Sequence, residues 1–221
     1  MDYLTNFLTG LSLAGGFMAV IFSLEGHFTY ACWAIILSVI FDGLDGQVAR
    51  RNPVPSEFGK QLDSLVDAVS FGIAPSVLGY IFIYRDFNLA AISVLFIYLV
   101  CSVMRLAEYN ITPKERLTSY FYGLPTTVSG AILASFTLIY RKYTQLPPPF
   151  IFLLIVLCLS VLMVSKLKYP NLDGLRQIAG RKLLPFSLIA LFAFVFMPEI
   201  TVFTLFAAYL IFCPFLFKKF V

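Results

Sequence analysis

Asp42, Asp45, Asp63 and Asp67 fall in two pairs within FDGLDGQVARRNPVPSEFGKQLDSLVDAV, residues 41–69, each pair on the end of a long apolar run. Asp42 and Asp45 are three residues apart, Asp63 and Asp67 four, so on helices each pair shares one face. Asn52-Pro53-Val54-Pro55 breaks the run between them, and Ser56 is suited to cap the second helix. Two antiparallel helices joined there would set the pairs opposite each other. At 1.5 Å per helical residue, Asp42 would lie about 12 Å deeper than Arg50. Four ionised carboxylates in such a place repel one another and call for cations. Oxygen-only ligands select hard ions such as Mg²⁺, Mn²⁺ or Ca²⁺, and two divalent ions balance four carboxylates. Two metals clamped by shared carboxylates are a recurring device for displacement at phosphorus.

The neighbouring residues extend this chemistry. Gly43, Gly46 and Gly59 weaken helix propensity, and close approach of a ligand explains them. Gly59 precedes Asp63 by one turn on the same face, and Arg50, one turn beyond Gly46, is a natural phosphate partner. A blander account makes the aspartates solvated helix ends paired with Arg50, Arg51 and Lys60. It suits one pair better than two pairs with glycines on the same faces. An ion transporter would continue its polar residues toward the other membrane face, whereas both helices turn apolar away from the cluster. A structural metal site leaves the spacing of Ala49, Arg50 and the glycines unexplained.

The elements that position these residues are membrane helices. The chain has 221 residues, 60% hydrophobic, 17% aromatic and only 13% charged, too little polar surface for a soluble domain. Polar breaks separate about eight apolar spans, near 5–25, 28–50, 57–84, 88–109, 123–141, 149–166, 183–197 and 200–217. The expected fold is an all-α polytopic bundle in one integral-membrane domain, residues 1–221. Its core would run over about 5–170, with an extra C-terminal helical pair at about 183–217. The first span lacks a basic leader and a small-residue cleavage site, so it reads as a retained helix. Cys32, Cys101, Cys158 and Cys213 are scattered singly and read as small buried hydrophobes.

Orientation follows from the loop cations. Alternating the connections puts Arg50, Arg51, Lys60, Arg105, Lys114, Arg116, Lys166, Lys168, Arg176, Arg181, Lys182, Lys218 and Lys219 on one side. Only Arg85, Arg141 and Lys142 fall on the other. The excess marks the cytoplasmic side of a cell membrane and places the aspartates near it. The net charge of +4 suits anionic headgroups; no nucleic-acid partner is expected.

The full pattern Asp42-x-x-Asp45-Gly46-x-x-Ala49-Arg50, followed by Gly59-x-x-x-Asp63-x-x-x-Asp67, resembles the signature of the CDP-alcohol phosphotransferases. Further segments resemble the branch of that family that makes phosphatidylserine: NFLTGLSLAGGFMAV from Asn6, MRLAEYN over 104–110, YFYGLPTTVSGAILAS from Tyr120 and MVSKLKYPNL from Met163. The likeness covers about residues 5–172, and Glu108 stands where that branch usually has arginine.

The resemblance implies transfer of a phosphatidyl group from CDP-diacylglycerol to L-serine, with release of CMP. It implies two divalent cations, Mg²⁺ or Mn²⁺ with Ca²⁺ as an alternative occupant, held by Asp42, Asp45, Asp63 and Asp67, with Asp67 as general base. Asn6, Thr9, Asp45, Gly46, Ala49, Arg50 and Gly59 would bind the CDP-lipid, and Arg105, Asn110 and Lys114 the serine. Glycerol 3-phosphate or inositol phosphate as acceptor, and an archaeal ether CDP-lipid as donor, are the alternatives within the family. Membrane lipids surround such enzymes, and a homodimer is the expected assembly.

Overall fold

A computed structural model describes residues 2–50, 57–83, 89–112, 120–143, 149–170 and 192–218. Helices α1 (Asp2–Leu24) and α2 (Phe28–Arg50) form an antiparallel hairpin. Gly26 turns it with φ of 77°, where a side chain would be strained. Helix α3 (Glu57–Asp67) passes through a π-helical segment, Ala68–Ile73, into α4 (Ala74–Ile83), and α5 spans Leu89–Ile111. A short strand β1 (Tyr120–Tyr122) precedes α6 (Thr126–Tyr143) and α7 (Pro149–Val164). Strand β2 (Lys168–Pro170) pairs antiparallel with β1, Phe121 opposite Tyr169, and α8 spans Pro198–Lys218.

The chain is predominantly helical, and the described residues include one small two-stranded sheet that the all-α expectation did not include. Four described stretches are long and apolar enough to cross a membrane: Tyr3–Leu24, Phe28–Arg50, Glu57–Ile83 and Leu89–Ile111. About eight such spans is therefore not what the described residues display. Phe150–Val164 and Pro198–Ile211 are shorter apolar helices. The expected fifth span, 123–141, begins only at Thr126, because Gly123 has φ of 75° and Pro125 follows. The expected span at 183–197, the break at 52–55 and the cap at Ser56 fall wholly or mainly outside the described residues.

Two packing devices fix the site's frame. Helices α1 and α2 approach closely because small residues face each other, as bilayer packing demands where no hydrophobic force operates between helices. Ser12 Oγ donates to the Ser38 carbonyl at 3.2 Å, and Ser38 Oγ returns a bond to the Ser12 carbonyl at 2.9 Å. Ser70 Oγ, in the π segment, also donates to the Ser12 carbonyl at 3.1 Å, and a Cβ on Gly16 would overlap Ser70. The π segment starts directly after Asp67. Its widened turn frees carbonyls, and the Tyr98 hydroxyl on α5 donates to that of Phe71 at 2.9 Å.

Helix α6 is the central post, with every side chain from Val128 to Leu138 buried except that of Phe136. One apolar cluster around Ile35, Phe71 and Leu78 packs on its α2 side, another around Tyr98, Leu133, Phe152 and Val156 on its α7 side. Phe28 and Phe206 touch both clusters. Outward-facing Phe17, Leu37, Phe96 and Val161 are exposed, as lipid-facing positions should be.

Candidate active site

The C-terminal half of α2 and the whole of α3 bring the aspartates together. Carboxylate oxygens of Asp42, Asp63 and Asp67 lie within 4.8 Å of one another. Asp45 is set apart from this triad, because three residues on a helix rotate a side chain by about 60° from Asp42. That turns it toward α1, where Thr9 Oγ1 donates to Asp45 Oδ2 at 2.8 Å with both residues buried. The two pairs thus form a triad and a braced fourth member. All four line one cavity of about 470 Å³.

The rest of the lining comes from α2 and α3 themselves and from four further segments. Gly43, Gly46 and Arg50 border the cavity from α2. A Cβ on Gly43 would meet nothing within 4 Å, and one on Gly46 would meet only Arg50 Nη1 at 3.9 Å, so the space beside the aspartates is open. Arg105 and Tyr109 enter from α5, Thr126 and Thr127 from the start of α6, Pro170 from β2, and Leu205, Phe206 and Tyr209 from α8. Arg105 is only 7% exposed, with its guanidinium 5.3 Å from the centroid of the Tyr109 ring. Arg105 and Asp67 line the same cavity.

Other residues named from sequence sit differently. Asn110 Nδ2 donates to Ser64 Oγ at 2.8 Å, and its backbone carbonyl accepts from Lys60 Nζ at 2.6 Å. Asn110 therefore straps the end of α5 to α3. Asn6, Ala49 and Gly59 are half-buried and lie outside the cavity lining, and Lys114 is outside the described residues. Glu108, where the sequence departs from the family pattern, is exposed and does not line the cavity. Tyr109 could have been singled out by its place one turn after Arg105. Thr126 and Tyr209 carry no local signal, because only the closing of α6 and α8 over the aspartates brings them in.

The donor set fits a hard divalent cation. Asp67 Oδ1 is buried with no hydrogen-bond partner, a situation that costs about 1–3 kcal/mol and more for a charged group. Three carboxylates sharing a few ångströms, one with an orphaned oxygen, match what such an ion takes as ligands. Compared with known proteins, residues 2–213 match the pattern of the CDP-alcohol phosphatidyltransferases.

The chain belongs to that family.

Among curated members, this CDP-alcohol phosphatidyltransferase is 34% identical over 168 residues to the CDP-diacylglycerol–serine O-phosphatidyltransferase of Helicobacter pylori, covering 75% of this chain and 71% of the relative. It is 35% identical over 174 residues to the archaetidylserine synthase of Methanothermobacter thermautotrophicus, covering 78% and 71%. The Bacillus subtilis CDP-diacylglycerol–serine O-phosphatidyltransferase is 31% identical over 172 residues, covering 77% and 92%.

Proposed function

We propose that this protein moves a phosphatidyl group, or its ether-lipid counterpart, from a CDP-linked lipid to the hydroxyl of L-serine and releases CMP. The observation that carries the proposal is that Asp42, Asp63 and Asp67 meet Arg105 across a single cavity. The names of relatives from two bacteria and an archaeon point to the same transfer.

Each residue then has a task. Serine is a zwitterion, and the Arg105 guanidinium offers a planar fork that matches its carboxylate. Asp67 takes the proton from the serine hydroxyl. The serine oxygen then bonds to the lipid-side phosphorus as the bond to the CMP oxygen breaks. Gly43 and Gly46 leave room for the nucleotide, and Arg50 faces its phosphates. Asp42, Asp63 and Asp67, with Asp45 steadied by Thr9, would hold two divalent cations, Mg²⁺ or Mn²⁺. Such ions neutralise the pyrophosphate and stabilise charge on departing CMP. Holding hydroxyl and phosphorus in line carries much of the rate.

Phosphorylated acceptors would bring a second phosphate and need a denser basic cluster. Among the described lining residues, the cations are Arg50 and Arg105 alone. That favours serine over glycerol 3-phosphate or inositol phosphate. The excess of loop cations at the carboxylate end supports a cytoplasmic active site, and a homodimer is taken as the assembly. The test is an acceptor panel: purified protein in detergent, CDP-diacylglycerol, Mg²⁺ or Mn²⁺, and serine, glycerol 3-phosphate or inositol phosphate. Serine should give CMP and phosphatidylserine in equal amounts. CMP release with none of the alcohols under either metal would overturn the proposal.

A further inference from the structure

Helix α8 lies beyond the signature segments read from the sequence, which end at about residue 172, yet it supplies three of the cavity's lining residues, Leu205, Phe206 and Tyr209. Of these, Tyr209 is the most firmly held. Its hydroxyl donates to the Pro170 carbonyl at 2.9 Å, and its ring stacks on Tyr169 with centroids 5.8 Å apart and planes 27° apart. Tyr169 is 1% exposed and belongs to the apolar cluster around Phe152, so the stack is anchored in the core. Pro170 itself lines the cavity. One turn earlier, Phe206 packs against both apolar clusters and continues the same wall toward Val39 of α2. At the start of α8, Glu199 accepts from Lys142 Nζ at 3.0 Å, fixing the helix to α6. The helix is thus pinned at its start and near its middle, and Tyr209 lines the same cavity as Arg105.

A transferase that activates a phosphoanhydride must keep water from the phosphorus, because water is an acceptor too. Its oxygen would form the new bond to phosphorus, the bond to the CMP oxygen would break with its electron pair, and water's proton would pass to the base that serves serine. The products would be phosphatidic acid and CMP. We propose that Tyr209, locked to Pro170 and Tyr169, is a specificity-determining residue that closes the acceptor end of the cavity and holds it to serine against water. This rests on the serine-transfer reading above, and adds to it that the C-terminal helix decides the fate of the activated phosphorus.

The experiment measures three products in parallel from labelled CDP-diacylglycerol with serine: CMP, phosphatidylserine and phosphatidic acid. Wild-type protein should give a CMP-to-phosphatidylserine ratio near one. Tyr209→Ala should raise that ratio about threefold or more, with phosphatidic acid making up the difference. Tyr209→Phe keeps the ring but loses the bond to Pro170, and should give an intermediate ratio. A purely structural defect lowers all products together and leaves the ratio at one, and that result with either active variant overturns the proposal. Should Tyr209→Ala release no CMP, the ratio for Tyr209→Phe decides. If wild-type protein uses another alcohol in place of serine, the serine reading fails separately, and the wall is then judged by the ratio of CMP to that alcohol's product.

Discussion

Thr9→Val removes one hydroxyl from the carboxylate cluster and changes little else. Thr9 Oγ1 lies 2.8 Å from Asp45 Oδ2, and each residue is 2% exposed, so water has no access to replace the bond. A hydrogen bond to an ionised group contributes about 1.5–3 kcal/mol. An outer partner of a metal-binding group is worth, independently, about 10–100-fold in metal affinity, or about 1.4–2.7 kcal/mol. The Thr9 hydroxyl has a single proton, which it shares with the Thr5 carbonyl at 2.9 Å. That sharing puts the expected loss at the low end, about tenfold in Mn²⁺ affinity. Isothermal titration of Mn²⁺ into detergent-solubilised protein reads the loss directly, and the Mn²⁺ dependence of CMP release reads it through turnover. Thr9→Ser, which keeps the hydroxyl, should stay within about threefold of wild type. If Thr9→Val binds Mn²⁺ as wild type does and needs no more of it for turnover, Asp45 is no part of the cation set.

Other outcomes follow from the same geometry. Asp67→Asn should lower turnover by about 10²–10⁴-fold while a CDP-lipid binding assay changes little; preserved turnover would remove Asp67 as the base. Arg105→Gln should raise the KM for serine by about 30-fold or more, and the KM for ethanolamine, which lacks the carboxylate, far less. Tyr98→Phe strips the Phe71 carbonyl of its donor next to the π turn. It should cost about 0.5–1.5 kcal/mol of stability, seen as a lower unfolding temperature in detergent. Gly123→Ala combines φ of 75° with a Cβ driven into the Met163 carbonyl, so size-exclusion chromatography should find little folded protein.

The parts of the site that lie on one helix were legible in the sequence. Asp42, Asp45 and Arg50 on α2, and Asp63 and Asp67 on α3, are related by helical spacing alone. What the spacing could not decide was how each carboxylate is used, because that depends on a third helix. Asp45 faces α1 and Thr9, while Asp42 faces Asp63 and Asp67. The π segment was equally hidden: Gly72 alone in Ala68–Ile73 weakens the helix and does not specify a π turn, and bonds from Ser70 to Ser12 and from Tyr98 to Phe71 hold it. Helix count was the least legible feature. The polar Thr126, Ser129, Ser135 and Thr137 of α6 are buried against protein, so hydropathy alone does not mark how that helix sits.

By itself, the sequence determined a membrane helix protein with a family signature on two consecutive helices and an arginine one turn before Tyr109. Tertiary structure alone decided which surfaces close around those residues. The strap from Asn110 to Ser64, the roof of α6, the β1–β2 pair and the wall of α8 meet at the aspartates from positions up to 167 residues away in the chain, from Asp42 to Tyr209. Local spacing is set by the geometry of a single helix, and a pattern of residues can encode it. The closing of a cavity is set by packing between helices whose apolar faces look alike in sequence, and only their fit selects one arrangement.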